Sequence, residues 1–350
     1  MARRWSHWAP AVVAPVLVAA GSFAVASGAG AAVDLPDRSP AEVLALIAGS
    51  TEDSFSGTFE QRSELGIPAL PEGLAGSDSD DLAAALDLLT GSHTARVFAA
   101  GPDIARLQVL DRLGERDVVR NGRDVWLWDS AENAAVHVTL PADTGHGRAA
   151  DQAPSPTELA DELLAKVGAT SELSVGRDGE VAGRPAYELV LTPRTPDTLV
   201  GSVAIAVDAE TGLGLGVTVH ARGQDAPAFR AAWTSLDLAA PDPALFDFTP
   251  PPGASVEEKA APGDDGQRPD VPAEDVPTVV GSGWDAVVVL PAGAEPAGLT
   301  SSPLLAALTR EVDGGRLLSS ALLTALVTDD GRVLVGAVPP ARLQAVAAAQ

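Results

Sequence analysis

The chain has 350 residues, with 23 Lys+Arg against 48 Asp+Glu for a formal net charge of −25, and it contains no cysteine. An anionic surface of that size repels a phosphate backbone, so no nucleic-acid partner is expected. The missing cysteine excludes disulfides, thiolate nucleophiles, zinc ribbons and lipid attachment through an N-terminal cysteine. Hydrophobic residues make up 46%, as in folded globular proteins, and the length suits about two domains at roughly 150 residues each.

Arg3 and Arg4 precede an uncharged, mostly Ala, Val and Leu run from Ala9 to Ala26, followed by small residues from Ser27 to Ala32. That is a charged n-region, an apolar h-region and an A-x-A site, so residues 1–32 are predicted to be a signal peptide. Cleavage follows either Ala26 or Ala31, and a retained anchor is the alternative, against which Pro10, Pro15, Gly21 and Ser22 argue. Taking Arg3 and Arg4 away from the 23 basic residues brings the charge of the exported protein to −27. Lys166 and Lys259 are the only lysines, and this arginine-dominated, Ala-, Gly- and Pro-rich composition is that of a GC-rich genome.

Ser39-Pro40-Ala41-Glu42 reads as a capping box with Pro at N1, opening a short helix that Gly49 ends. Ser155-Pro156-Thr157-Glu158 repeats the arrangement ahead of Leu159, Leu163, Leu164 and Val167. Between them the period changes to two. Phe55 to Arg62 alternates as a strand, Asn121-Gly122 joins two strands in a tight hairpin, and Asp208 to Gly212 joins two more. Arg96 to Val109 and Tyr187 to Leu191 add further extended stretches. Residues 33–250 therefore predict a mainly antiparallel sheet with a few helices, an α+β arrangement.

Gly66 to Gly91 interrupts the pattern, passing Pro68 and Pro71 before Asp80-Asp81 opens a short helix whose stripe is Leu82, Ala85, Leu86 and Leu89. So long a connection is either a lid or a cover for the core. Residues 251–283 are rich in Pro, Gly and acids and predict a solvated linker. Residues 284–350 predict a small module of βαββα order, with a strand at 284–290, a helix from Ser302-Pro303, strands at 317–328 and 332–338, and a closing helix at 340–349.

No catalytic constellation emerges. The histidines are His7, His93, His137, His146 and His220, and none has the i, i+4 partner of a zinc protease, so neither a metal nor a cofactor is expected. There is no Gly-x-Ser-x-Gly elbow. Gly212-x-Gly214-x-Gly216 lies in a hairpin with no helix behind it, so it reads as backbone permissiveness rather than a nucleotide loop. What remains is apolar surface on the strands, an ordinary core or the lining of a hollow that takes a ligand without catalysis.

The short helix followed by Phe-Ser-Gly-Thr-Phe-Glu-Gln at 55–61 resembles the start of the LolA lipoprotein-carrier and RseB superfamily, in an actinobacterial-looking form. Val118 to Ser130, with its Asn121-Gly122 turn, resembles the family's central hairpin, and 182–189 and Leu245-Phe246-Asp247-Phe248-Thr249-Pro250-Pro251 fit the same order. The resemblance covers roughly residues 39–255 and implies a strongly curved, unclosed antiparallel half-barrel with helices over its concave face and an apolar cavity for acyl chains. It implies no catalytic residues. On that basis the cavity walls are expected to be Phe55, Phe59, Leu107, Val109, Trp126, Trp128, Ile205 and Val219, under a lid of Leu82, Leu86 and Leu89. The expected role is an exported carrier or chaperone of a lipid or acylated lipoprotein in the cell envelope, soluble after cleavage or tethered if the signal is retained. The alternative is an RseB-like regulator whose partner is a membrane anti-sigma factor; an envelope transporter is a further candidate partner. The insertion at 66–91 and the module after 283 depart from a minimal carrier.

Overall fold

A computed structural model describes residues 34–67, 91–111, 114–141, 164, 167–260, 276–293 and 307–349. The signal segment, the lid residues Leu82, Leu86 and Leu89, the start of the predicted helix at 155 and that of the helix at 302 lie outside the described residues.

Helix α1 (Pro40–Ala48) forms as its capping box dictates: the Ser39 hydroxyl accepts from the Glu42 N–H at 3.3 Å, and the Ser39 N–H donates to Glu42 Oε2 at 2.7 Å. Twelve strands of the body follow: β1 (Ser54–Ser63), β2 (His93–Ala100), β3 (Ile104–Asp111), β4 (Gly114–Asn121), β5 (Asp124–Asp129), β6 (Ala134–Thr139), β7 (Ser171–Val175), β8 (Gly179–Val181), β9 (Arg184–Pro193), β10 (Val200–Asp208), β11 (Gly214–Ala221) and β12 (Pro227–Asp237). They form one curved, unclosed sheet that runs from β6 back through β5, β4, β3 and β2 to β1, crosses to β12, and continues through β11, β10 and β9 to β7, with β8 paired beside β9. The β1–β12 pairing joins two meanders, so the centre of the sheet unites the two ends of the body. All these pairings are antiparallel.

The expected linker is partly structured. Strand β13 (Ser255–Ala260) extends the large sheet by pairing parallel with β6, and β14 (Thr278–Val280) belongs to a second sheet. The acid-rich composition that suggested a solvated chain is also what a sheet edge tolerates, since charged side chains there discourage further pairing. The second sheet has the order β14, β15 (Val287–Leu290), β19 (Val333–Gly336), β18 (Thr324–Thr328), β17 (Gly315–Ser319), β16 (Arg310–Val312), with α2 (Pro340–Ala349) packed on it. The single strand predicted over 317–328 is two strands, because the Ser320 hydroxyl accepts the Leu323 N–H at 3.0 Å and turns the chain between them. Val287, Leu317, Leu326, Leu334 and Leu343 make its core.

The two sheets are joined by directional contacts. Thr198 Oγ1 and the Leu199 N–H both donate to the Ala337 carbonyl at 2.8 Å, Trp284 Nε1 donates to Ser171 Oγ at 2.8 Å, and the Ala321 N–H donates to the Leu65 carbonyl at 2.8 Å.

Candidate functional site

Because side chains alternate along each strand, the register decides which of the expected wall residues share a face. Phe55 pairs with Ala99, Gly57 with Val97, and Val97 with Leu107; Leu107 pairs with Val118, and Val118 with Leu127. In the other direction Phe59 pairs with Trp233, Gln61 with Ala231, Ala231 with Val217, and Val217 with Ile205. Phe55, Phe59, Leu107, Val109, Ile205 and Val219 therefore lie on one face that crosses the sheet. Much of it is only half-buried, including Phe59, Leu107, Val109 and Val219.

Its centre is an aromatic group that the sequence reading missed. Trp233 lies edge-on to Phe55 at 5.6 Å and to Phe59 at 5.5 Å between ring centroids, and donates its Nε1–H to the Gly214 carbonyl at 3.2 Å. Gly57 makes room for it: a Cβ there would lie 2.3 Å from the Ser235 carbonyl oxygen and 2.8 Å from the indole. At the far end α1 closes the same face, with Val43 packed into Tyr187, Leu189 and Val207, and Ile205 beside them.

Trp126 and Trp128 are on the opposite face, since Trp126 pairs with Val119 and Trp128 with Asp117. There they meet the chain's own segment after β12: Phe248 lies 5.5 Å from Trp126 and 6.1 Å from Trp128. A short 3-10 turn, Pro243–Phe246, buries Phe246 and hands the Leu245 carbonyl to Arg106 Nη1 at 3.1 Å. His137 stacks on Trp126 at 4.2 Å, its two ring nitrogens 2.8 Å from Glu258 of β13 and 2.9 Å from Asp124 of β5. Both faces of strand β5 are thus packed, with Leu127 on one and Trp128 on the other each nearly inaccessible. The expected walls do not converge on one cavity; six share the half-open face and two lie beneath the 243–260 segment.

Two surface hollows, of about 280 Å³ and about 300 Å³, involve none of the expected wall residues. The first lies between Pro40, Leu164, Leu173 and Arg194, the second between Thr58, Arg96, Phe98 and Asp237. Among the described residues no group of three or more His, Asp or Glu side chains could hold a metal, and no helix is long and apolar enough to cross a membrane.

The Leu245 carbonyl also caps a buried ion pair between Arg106 and Asp117, where Arg106 Nε and Asp117 Oδ1 find no partner among the described residues. Burial pushes the Asp117 carboxyl up to about 6; Arg106 opposes the rise and Glu115 adds to it. Between the unfolded value near 4 and about 6, the native chain holds a proton on Asp117 that the unfolded chain has released, so this group's contribution to stability increases as pH falls through that window. Asp117→Asn should remove the dependence: urea unfolding at pH 7 and at pH 4.5 should show the wild type gaining up to about 2 kcal/mol on the variant as pH falls. A constant difference between the two proteins would refute the assignment.

No protein-family model matches the chain, and neither does any curated protein. Solved structures do. The chain is similar to MucB and to LolA-superfamily proteins. Against the Pseudomonas aeruginosa MucA/MucB complex the TM-score is 0.45 at 20% identity, covering 88% of this chain and 96% of that one. Against a LolA-superfamily protein from Nitrosomonas europaea it is 0.24 at 12% identity, covering 61% and 99%. Against LprF from Mycobacterium bovis it is 0.27 at 11% identity, covering 58% and 96%.

Proposed function

We propose that this chain is an exported, non-catalytic binding protein of the LolA/RseB superfamily that holds a lipid or lipoprotein acyl chain against the apolar face of its large sheet. The observation that carries the reading is that face: a mainly apolar register from Leu107 through Phe59 to Val219, interrupted at Gly57, Gln61 and Ser63 and half-buried at its open positions. The family assignment rests on the order of sequence motifs from residue 39 to 255. An acyl chain laid on such a face gains about 0.8 kcal/mol for each methylene removed from water, so it needs few polar contacts.

Native mass spectrometry of protein purified gently from its own host should show co-purifying lipid, and a fluorescent fatty acid should bind. Val219→Asp, on the open part of the face, should weaken that probe about tenfold or more, while Val288→Asp on the second sheet leaves it unchanged. A clean apoprotein that ignores the probe would reject the reading.

A second reading, an RseB-like regulator that binds a membrane anti-sigma factor, is favoured by the exposed apolar pair Val279 and Val288, which face each other across β14 and β15 and are 62% and 38% exposed. Its test is recovery of a single-span membrane protein by the exported chain, lost on Val279→Glu.

A further inference from the structure

On the face of the large sheet opposite the apolar one, Arg62 of β1 stands directly across from Arg230 of β12. Like charges in directly opposed positions destabilise a ladder, and the chain as a whole carries two acids for every base, so an opposed pair of arginines is not a product of composition. Arg62 is answered by Glu60, whose Oε1 accepts from Nε at 3.0 Å and Nη2 at 2.8 Å. Arg230 is half-buried and makes no hydrogen bond or ion pair among the described residues. On its other side, β11 presents Thr218, and His220 two residues on; the nearby carboxylates on this face are Glu60, engaged by Arg62, and the exposed Glu64, two residues beyond Arg62, whose backbone N–H bonds the Ala228 carbonyl. Burial, and then the Arg62 charge, depress the pKa of Arg230, with Glu60 opposing.

A partly desolvated cation beside a like charge costs stability, and such groups cluster where a ligand supplies the missing charge. Directly opposed side chains sit about 5 Å apart at Cβ, which lets two guanidinium forks address one small anion from two sides. A carboxylate has two oxygens, one of which on Glu60 is already taken by both nitrogens of Arg62, whereas a tetrahedral oxyanion has oxygens for both forks. We propose that Arg62 and Arg230 form a binding site for a phosphate or phosphoester group. The site is on the other face from the apolar surface, so it stands or falls independently of the acyl-binding reading.

The test is isothermal titration of the exported protein with sodium phosphate, and co-sedimentation with phosphatidylcholine vesicles with and without phosphatidylglycerol. Arg230→Gln should lower phosphate affinity about tenfold or more, while Arg310→Gln on the second sheet, which removes the same charge, leaves it unchanged. Binding of phosphate alone assigns a soluble phosphoester, and binding of the phosphatidylglycerol vesicles as well assigns a lipid headgroup. Because Arg230→Gln relieves a repulsion, its thermal midpoint should equal or exceed the wild type's. Absence of binding by the wild type, equal binding by Arg230→Gln, or a fall in its midpoint would each overturn the proposal.

Discussion

Trp233→Ala should destabilise the large sheet by about 3–5 kcal/mol, read as a lower urea midpoint with an unchanged slope. The indole is 4% exposed, fills the space between Phe55 and Phe59, and spends its N–H on the Gly214 carbonyl. Its removal leaves a void at the pairing of β1 with β12, where the ladder already carries a bulge between Thr58 and Phe59. Neighbours cannot collapse into the void cheaply, because Gly57 has no side chain to offer. Gly57→Ala approaches the same junction from the other side. Its added methyl would meet the Ser235 carbonyl oxygen at 2.3 Å, so the strands themselves must part. Both variants should also weaken any probe bound on the apolar face, since the junction holds Phe59 in place. A Trp233→Ala protein with wild-type stability would mean that the aromatic group is ornament on a sheet held by other contacts.

That junction marks the boundary of what could be read in the sequence. Features within a few residues of one another were legible: the Ser39–Glu42 capping box, the turn at Asn121-Gly122 with Gly122 at φ +62°, and the turn at 208–212. So was the alternation of β1. The partner that makes Gly57 necessary lies at the far end of the body, and nothing local to Phe55-Ser56-Gly57-Thr58-Phe59 announces it. For the same reason the sequence does not tell which of the expected wall residues share a face. Alternation states that each strand has two faces, yet β5 is covered on both, with Leu127 in one core and Trp128 under Phe248. Aromatic content drew Trp126 and Trp128 into the supposed hollow, and only the register separates them from Leu107. Strand β13 escaped notice because a charged edge strand and a solvated linker share a composition; the difference is His137 on β6, which faces Glu258.

The turn at 208–212 does more than reverse the chain, and Asp208→Ala should show it with a loss of about 3–5 kcal/mol. Asp208 is fully buried. It pairs with Arg184 through Nε and, at 3.1 Å, Nη2, and accepts from the Thr211 N–H at 2.8 Å, the Thr211 hydroxyl at 2.9 Å and the Glu210 N–H at 3.1 Å. Burial alone would raise its carboxyl; the Arg184 and Thr211 hydrogen bonds outweigh burial and hold it below the usual carboxylate range. The pair therefore contributes stability above the unfolded value near 4, and that contribution is lost as pH falls through the lower folded value, the reverse of the trend at Asp117. Removing the carboxylate strands three turn donors at once and leaves the half-buried Arg184 guanidinium with only the exposed Glu210 at 3.4 Å, whereas Asp208→Asn keeps an acceptor and should cost less. The turn also seats α1: Gly212, at φ +74°, brings the backbone so close that a Cβ would stand 2.1 Å from the Leu46 carbonyl oxygen. Loss of the turn should therefore free α1 from Tyr187, Leu189 and Val207 and uncover that end of the apolar face. Hydrogen exchange at residues 43–48 should accelerate in Asp208→Ala together with the fall in stability. Unchanged protection there would show that α1 is held by its apolar contacts alone, and that the turn contributes only to the β10–β11 hairpin.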